Sequence, residues 1–141
     1  MSFRFQTNTE SVDWNIVSSL LSHFGLSHLD AETQQKVFEN SYAVVFVFDE
    51  DRLIGFGRAI SDGICQAAIY NIALDEAYHG NGLGREIIHA LVQQVSHCHI
   101  ILYTHPNTIS LYEHLGFRRM KTGMAMYRQD EISHMEEMDF I

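Results

Sequence analysis

The sequence predicts a mixed α/β (α+β) fold: a mainly antiparallel sheet of six to seven strands that carries one parallel pair and is flanked by helices. Three observations predict it. Apolar runs at 42–48, 53–60 and 67–74 are separated by short turn signals, which reads as an antiparallel meander. The run at 67–74 is joined to another at 99–104 by an amphipathic helical pattern, Leu83, Ile87, Ile88, Leu91, Val92 and Val95. A strand that returns to its sheet through a helix lies parallel to its predecessor, by the right-handed crossover rule. Two further helical patterns precede the meander.

Each element has its own justification. Residues 2–6 alternate Phe3 and Phe5 and read as a short first strand. Thr9, Glu10, Ser11 and Asp13 are capping residues ahead of Trp14, Val17, Leu20, Leu21 and Phe24, a helix stopped by Gly25. A weaker helix lies within 26–40, capped by Asp30, with Val37 and Phe38 apolar. Asp49 to Arg52 is a charged hairpin turn, and Asp62-Gly63 is the next turn. Gly55 and Gly57 in the strand between them mark close packing or a bulge. The 67–74 run, with β-branched Ile69 and Ile72, reads as a strand buried on both faces. Residues 107–115 form a short helix, opened by Pro106 and Asn107 and stopped by Gly116; 118–121 and 124–127 are short closing strands. In 129–141, Ile132, Met135, Met138 and Ile141 keep a three-residue spacing suited to a partly ordered terminal helix. The expected organisation is one domain at 1–128 and an acidic tail at 129–141.

Composition narrows the function classes. The 141 residues are 46% apolar, enough for one core. Net charge is −9; five acids and no lysine or arginine lie in 129–141, leaving thirteen acids against nine bases, or −4, elsewhere. That argues against nucleic acid, which needs a basic face, and mildly favours a cationic acceptor such as an amine. No apolar run approaches the ~18 residues of a membrane span, and the N-terminal residues lack a signal-peptide core. Cys65 and Cys98 have no paired spacing and fit a reducing compartment, so the expectation is a cytoplasmic protein without a membrane segment.

The chemistry centres on residues 67–85. A strand runs through a polar connection into Gly80-Asn81-Gly82-Leu83-Gly84-Arg85, which opens a helix. The first N–H groups of a helix lack intrahelical acceptors and the dipole adds positive charge, so a glycine turn there makes an anion site. Arg85 in the first turn opposes the dipole, and a phosphate ligand would resolve that conflict. A dinucleotide fingerprint would need glycine where Arg85 stands, and there is no Gly-Lys-Ser/Thr of a nucleotide loop. A flexible strand-to-helix connection is the competing reading of the glycines.

The spacing His79-x-x-Gly82-x-Gly84 is similar to the pyrophosphate loop of the GCN5-related N-acetyltransferases, the GNAT family, with His79 where the family has Gln or Arg. Leu111-Tyr112-Glu113-His114-Leu115-Gly116-Phe117 resembles the end of the same family's signature. The likeness covers roughly 42–128. It implies a GNAT-like sheet whose two central parallel strands splay around coenzyme A. It implies acetyl-CoA as co-substrate, held by Ile72, Ala73, Leu74, His79, Gly80, Asn81, Gly82, Leu83, Gly84, Arg85, Asn107 and Tyr112. Residues 53–85 also look like a small-amine subgroup that includes arylalkylamine-type enzymes.

The expected reaction is direct attack of a primary amine, from a small molecule, on the thioester. A phenol can protonate the departing thiolate, which makes Tyr112 the candidate general acid; a core position on an amphipathic helix is its other reading. The family's acidic base is replaced by Asn71, which takes no proton at neutral pH. His105 is the candidate base, and as the residue before a proline it also has a loop-shaping reading. His97, Cys98 and His99 lack a recognisable zinc spacing, so no metal is expected. The alternatives are a non-catalytic acyl-CoA-binding regulatory module and an acetyltransferase for protein lysine or N-termini. A homodimer is a family habit.

Overall fold

The structure, a computed structural model, describes residues 3–141; Ser2, expected in the first strand, lies outside them. The chain falls into two compact units, one ending at Leu102 and one spanning Tyr103–Ile141.

The first unit holds a five-stranded sheet in the order of the sequence: β1 Phe3–Gln6, β2 Ala43–Asp49, β3 Arg52–Ser61, β4 Gln66–Leu74 and β5 His99–Ile101. The first three pairings are antiparallel and β4–β5 is parallel, as the helical crossover requires. Helix α1 (Trp14–His23) begins at Asp13, whose carboxylate accepts from the Asn15 N–H at 3.0 Å; α2 (Ala31–Glu39) begins at Asp30, which accepts from the Thr33 N–H at 2.8 Å. Val17 and Leu21 of α1 and Phe38 of α2 pack with Phe46, Phe48 and Phe56, closing one face of the sheet. The other face receives α3 (Leu83–Gln94), which buries Leu83, Ile87, Ile88 and Leu91.

Gly55 and Gly57 explain how α3 sits so close. A Cβ on Gly55 would stand 3.0 Å from Ile87 Cδ1 and 3.1 Å from the Ala73 carbonyl, and one on Gly57 would stand 2.8 Å from Leu91 Cδ1. Two irregularities flank them. Ile54 is an extra residue on β3 between the pairs Val47↔Gly55 and Phe48↔Leu53. On β4, Asn71 and Ile72 together oppose Gly57, between the pairs Phe56↔Ala73 and Arg58↔Tyr70. Asn71 takes φ 59°, the left-handed conformation that a bulge of this kind usually gives to glycine. The bulge changes the phase of β4. Tyr70 lies under Arg58 on the α1/α2 face, whereas Ile72 and Leu74, also even-numbered, meet the glycine-lined face of α3. Without the extra residue both would point the other way.

The second unit is helical and irregular. Pro106–Thr108 form a 3₁₀ turn leading into α4 (Ile109–His114), and Gln129–Glu131 lead into α5 (Ile132–Glu137), so the acidic tail is helical at its centre. Tyr103 packs edge-on against Tyr127 and Phe140, with ring centroids 6.0 and 5.3 Å away.

Three expectations are corrected. Residues 118–121 and 124–127 form no strands, so the sheet has five rather than six or seven. Met124 and Met126 are 97 and 100% exposed, and a segment without a partner for its backbone groups gains nothing from extending. In consequence the parallel pair lies at one edge of the sheet rather than at its centre. The last strand stops at Ile101 rather than at residue 104.

Candidate acyl-CoA site and catalytic residues

The two parallel strands part early. Their pairs are Gln66↔His99, Ala67↔Ile100 and Ala68↔Ile101, after which β4 continues alone to Leu74. Residues 69–74 therefore have no strand beside them on that edge among the described residues. The sequence places Ile72, Ala73 and Leu74 there, directly after the bulge.

Beyond β4, Asp75 starts a 3₁₀ turn over Glu76–Tyr78 by accepting from the Ala77 N–H, and is itself held by Arg52 at 3.0 Å. Tyr78 donates to Asp49 at 2.5 Å. These contacts pin the stem of the glycine loop to the β2–β3 hairpin. Gly80 and Gly82 both have positive φ, 88° and 86°, and Gly82 is the N-cap of α3. Beyond the chain neighbours and the helix's own backbone, no atom lies within 4 Å of a Cβ built on Gly80, Gly82 or Gly84. The loop is thus open on its outer side while its backbone adopts conformations that only glycine takes cheaply. Leu83 is buried beneath the loop; Asn81 and Arg85 are exposed. An anion of diphosphate size would meet the first N–H groups of α3 here, and the residues present fit it.

The His79 side chain makes contacts within the protein. Its Nε2 lies 2.6 Å from the Leu74 carbonyl oxygen, and its ring stacks on Phe24 at 6.1 Å. Phe24 in turn packs on His23, which meets Glu76 at 2.7 Å. The imidazole therefore ties the loop back to the end of β4 and to α1.

The remaining candidates lie in the second unit. Tyr112 is half-buried on α4; burial raises its pKa above the usual phenol value, partly offset by a hydrogen bond with Thr104. Thr104 and Thr108 hydroxyls meet at 2.5 Å, and Phe117 packs edge-on against the Tyr112 ring. His105 Nδ1 accepts from the Asn107 N–H at 3.2 Å and so caps the 3₁₀ turn before α4, which commits one ring nitrogen to structure.

Sequence reasoning missed Arg58. Its guanidinium lies between the rings of Phe38 and Tyr70, 5.9 and 5.5 Å from their centroids. Its Nε donates to Asn71 Oδ1 at 2.6 Å and its Nη1 to Ser41 Oγ at 3.3 Å. The sequence marks Asn71 by a side chain that takes no proton and gives no sign of its left-handed backbone. Among the described residues, no group of three or more His, Cys, Asp or Glu is placed to hold a metal ion.

A sheet of this order, with a parallel pair that parts ahead of a glycine loop, defines an acetyltransferase fold. A GNAT-family acetyltransferase of Streptococcus pneumoniae shares it at a TM-score of 0.77 and 18% identity, over 91% of this chain and 99% of that one. The family model described as an acetyltransferase (GNAT) domain matches residues 8–136, and the chain belongs to this family of acyltransferases. GCN5-related N-acetyltransferase 1, chloroplastic, of Arabidopsis thaliana is 26% identical over 120 residues, 82% of this chain and 61% of that protein. Serotonin N-acetyltransferase 2, chloroplastic, of Oryza sativa is 26% identical over 137 residues, 89% of this chain and 68% of that protein. The chain spans less than two thirds of the length of several curated relatives that it matches. No described helix is long and apolar enough to cross a membrane.

Proposed function

We propose that the protein transfers an acetyl group from acetyl-CoA to the primary amine of a small molecule. The observation that carries this reading is the bare β4 edge running into an open glycine loop at the N-terminus of α3. Acetyl-CoA supplies the activated acyl group as a thioester. Backbone N–H groups of Gly80 to Arg85 take its diphosphate, and Ile72 and Leu74 take its pantetheine amides on the open edge, Ala73 being turned toward Phe56 on β3. An N–H from the same stretch polarises the thioester carbonyl, an oxyanion-hole role. The Tyr112 phenol, kept protonated by burial, gives its proton to the thiolate as it leaves. His105 takes the amine's proton only at Nδ1, by releasing the Asn107 N–H; otherwise a neutral amine attacks and passes its proton to water as the C–S bond breaks. The rice relative named as a serotonin N-acetyltransferase supports an arylalkylamine acceptor. Free Cys65 and Cys98 suit a reducing compartment such as the cytoplasm.

The test is a thermal-shift titration with acetyl-CoA, followed by an amine panel read by thiol release. A saturable rise in the midpoint and release with an arylalkylamine are expected. Absence of a rise overturns the reading; a rise without release from any small amine or lysine peptide replaces it with a non-catalytic acyl-CoA-binding module.

A further inference from the structure

We propose that Arg58 is a positioning residue for acyl transfer: it holds Asn71 left-handed, and through that bulge it sets the direction of the backbone N–H groups of Ile72 and Leu74 on the open edge. The inference rests on the acyl-CoA reading of the β4 edge.

Four observations carry it. Asn71 is a non-glycine residue at φ 59° in a bulge inside a strand, a position that glycine usually fills. Its side-chain oxygen is held at 2.6 Å by a permanently charged donor, the stronger class of hydrogen bond. Arg58 is itself fixed: two rings flank its guanidinium, and Ser41 Oγ, which donates to the Val37 carbonyl at 2.9 Å, receives its Nη1. The phase of β4 changes at this bulge, so the groups that follow it on the open edge are aimed by it. The end of α2 thus sets Arg58, Arg58 sets Asn71, and Asn71 sets the N–H groups that would face the thioester.

The test is a rescue experiment. Arg58→Gln lowers kcat by about tenfold or more, against the roughly hundredfold loss from deleting an oxyanion donor outright, while the acetyl-CoA midpoint shift persists through the glycine loop. Adding Asn71→Gly returns kcat to within about threefold of wild type, because glycine holds a positive φ unaided. Arg58→Lys, which keeps the charge but not the Nε geometry, shows the same defect and serves if the glutamine variant folds poorly. Amide exchange at Ala73, which pairs with Phe56 directly after the bulge, quickens in the single variants without any ligand and recovers in the double. Unchanged kcat in Arg58→Gln overturns the proposal. So does a double variant that folds normally yet stays slow, since Arg58 would then act directly on a reactant. If the wild type neither binds acetyl-CoA nor turns over, the acyl-CoA reading fails and takes the catalytic role with it, while the exchange rates still decide whether the clamp exists.

Discussion

Replacing Gly82 and Gly84 by alanine, one at a time, separates what the loop does for the fold from what it does for a ligand. Beyond its chain neighbours and the helix's own backbone, neither added methyl meets any protein atom within 4 Å, so packing contributes nothing to either change. Backbone conformation decides them instead. Gly82 stands at φ 86°, where an L-residue pays about 1–2 kcal/mol. Gly84 lies in the first turn of α3, where alanine is favoured over glycine by up to about 1 kcal/mol. At this chain length each kcal/mol moves the melting midpoint by about 4 °C. Gly82→Ala should therefore melt about 4–8 °C lower and Gly84→Ala up to about 4 °C higher. With saturating acetyl-CoA, Gly84→Ala keeps the ligand-induced rise, since its carbon adds little bulk. Gly82→Ala loses most of it, because the N–H groups at the start of α3 turn away. Calorimetric melts with and without acetyl-CoA give all four numbers. Equal midpoints for the two variants would refute the conformational argument. An undiminished acetyl-CoA shift in Gly82→Ala would refute the anion-loop assignment itself.

Three further outcomes follow from the same geometry. Tyr112→Phe should lower kcat by at least about tenfold with little change in acetyl-CoA affinity, as loss of a general acid does. Because burial raises the folded pKa of Tyr112, the unfolded chain gives up this proton first; the contribution to stability is whole below pH about 10 and is lost as pH climbs through the folded value. Urea melts from pH 8 to 11 should fall less steeply in Tyr112→Phe than in wild type. Gly55→Ala should destabilise by about 1–3 kcal/mol in urea, since the methyl has a backbone carbonyl and two packed side chains against it. Asp30→Ala should cost about 1 kcal/mol by freeing the Thr33 N–H, with no change in acetyl-CoA affinity.

The parts of this architecture legible in the sequence are those with a local chemical cause. The carboxylates of Asp13 and Asp30 announce α1 and α2, and the Leu83–Leu91 pattern announces α3 and with it the parallel pairing. The glycine loop shows because positive φ has a residue code. The β4 bulge does not show, because Asn71 is held left-handed by Arg58, thirteen residues earlier, on a neighbouring strand. Gly57 gave half of that signal: it stands opposite the bulge rather than in it. His79 could be matched to a motif position, yet its ring bonds the Leu74 carbonyl, a pairing visible only once the turn is folded. Residues 118–127 hold only Thr122 and Tyr127 as strand formers, and strand formation there would depend on a neighbour that composition does not specify.

The open edge of β4 has a consequence for the protein as a material. Ile69-Tyr70-Asn71-Ile72-Ala73-Leu74 is six residues with no charge and no proline, beside which no strand lies on one side among the described residues. Segments of that length and composition are where chains stack on one another and precipitate. The bend at Asn71 breaks the flatness that such stacking needs. Shelf life, tolerance of concentration and recovery from heating should therefore track the state of this one strand. A ligand lying along it would act as a solubiliser as well as a reactant.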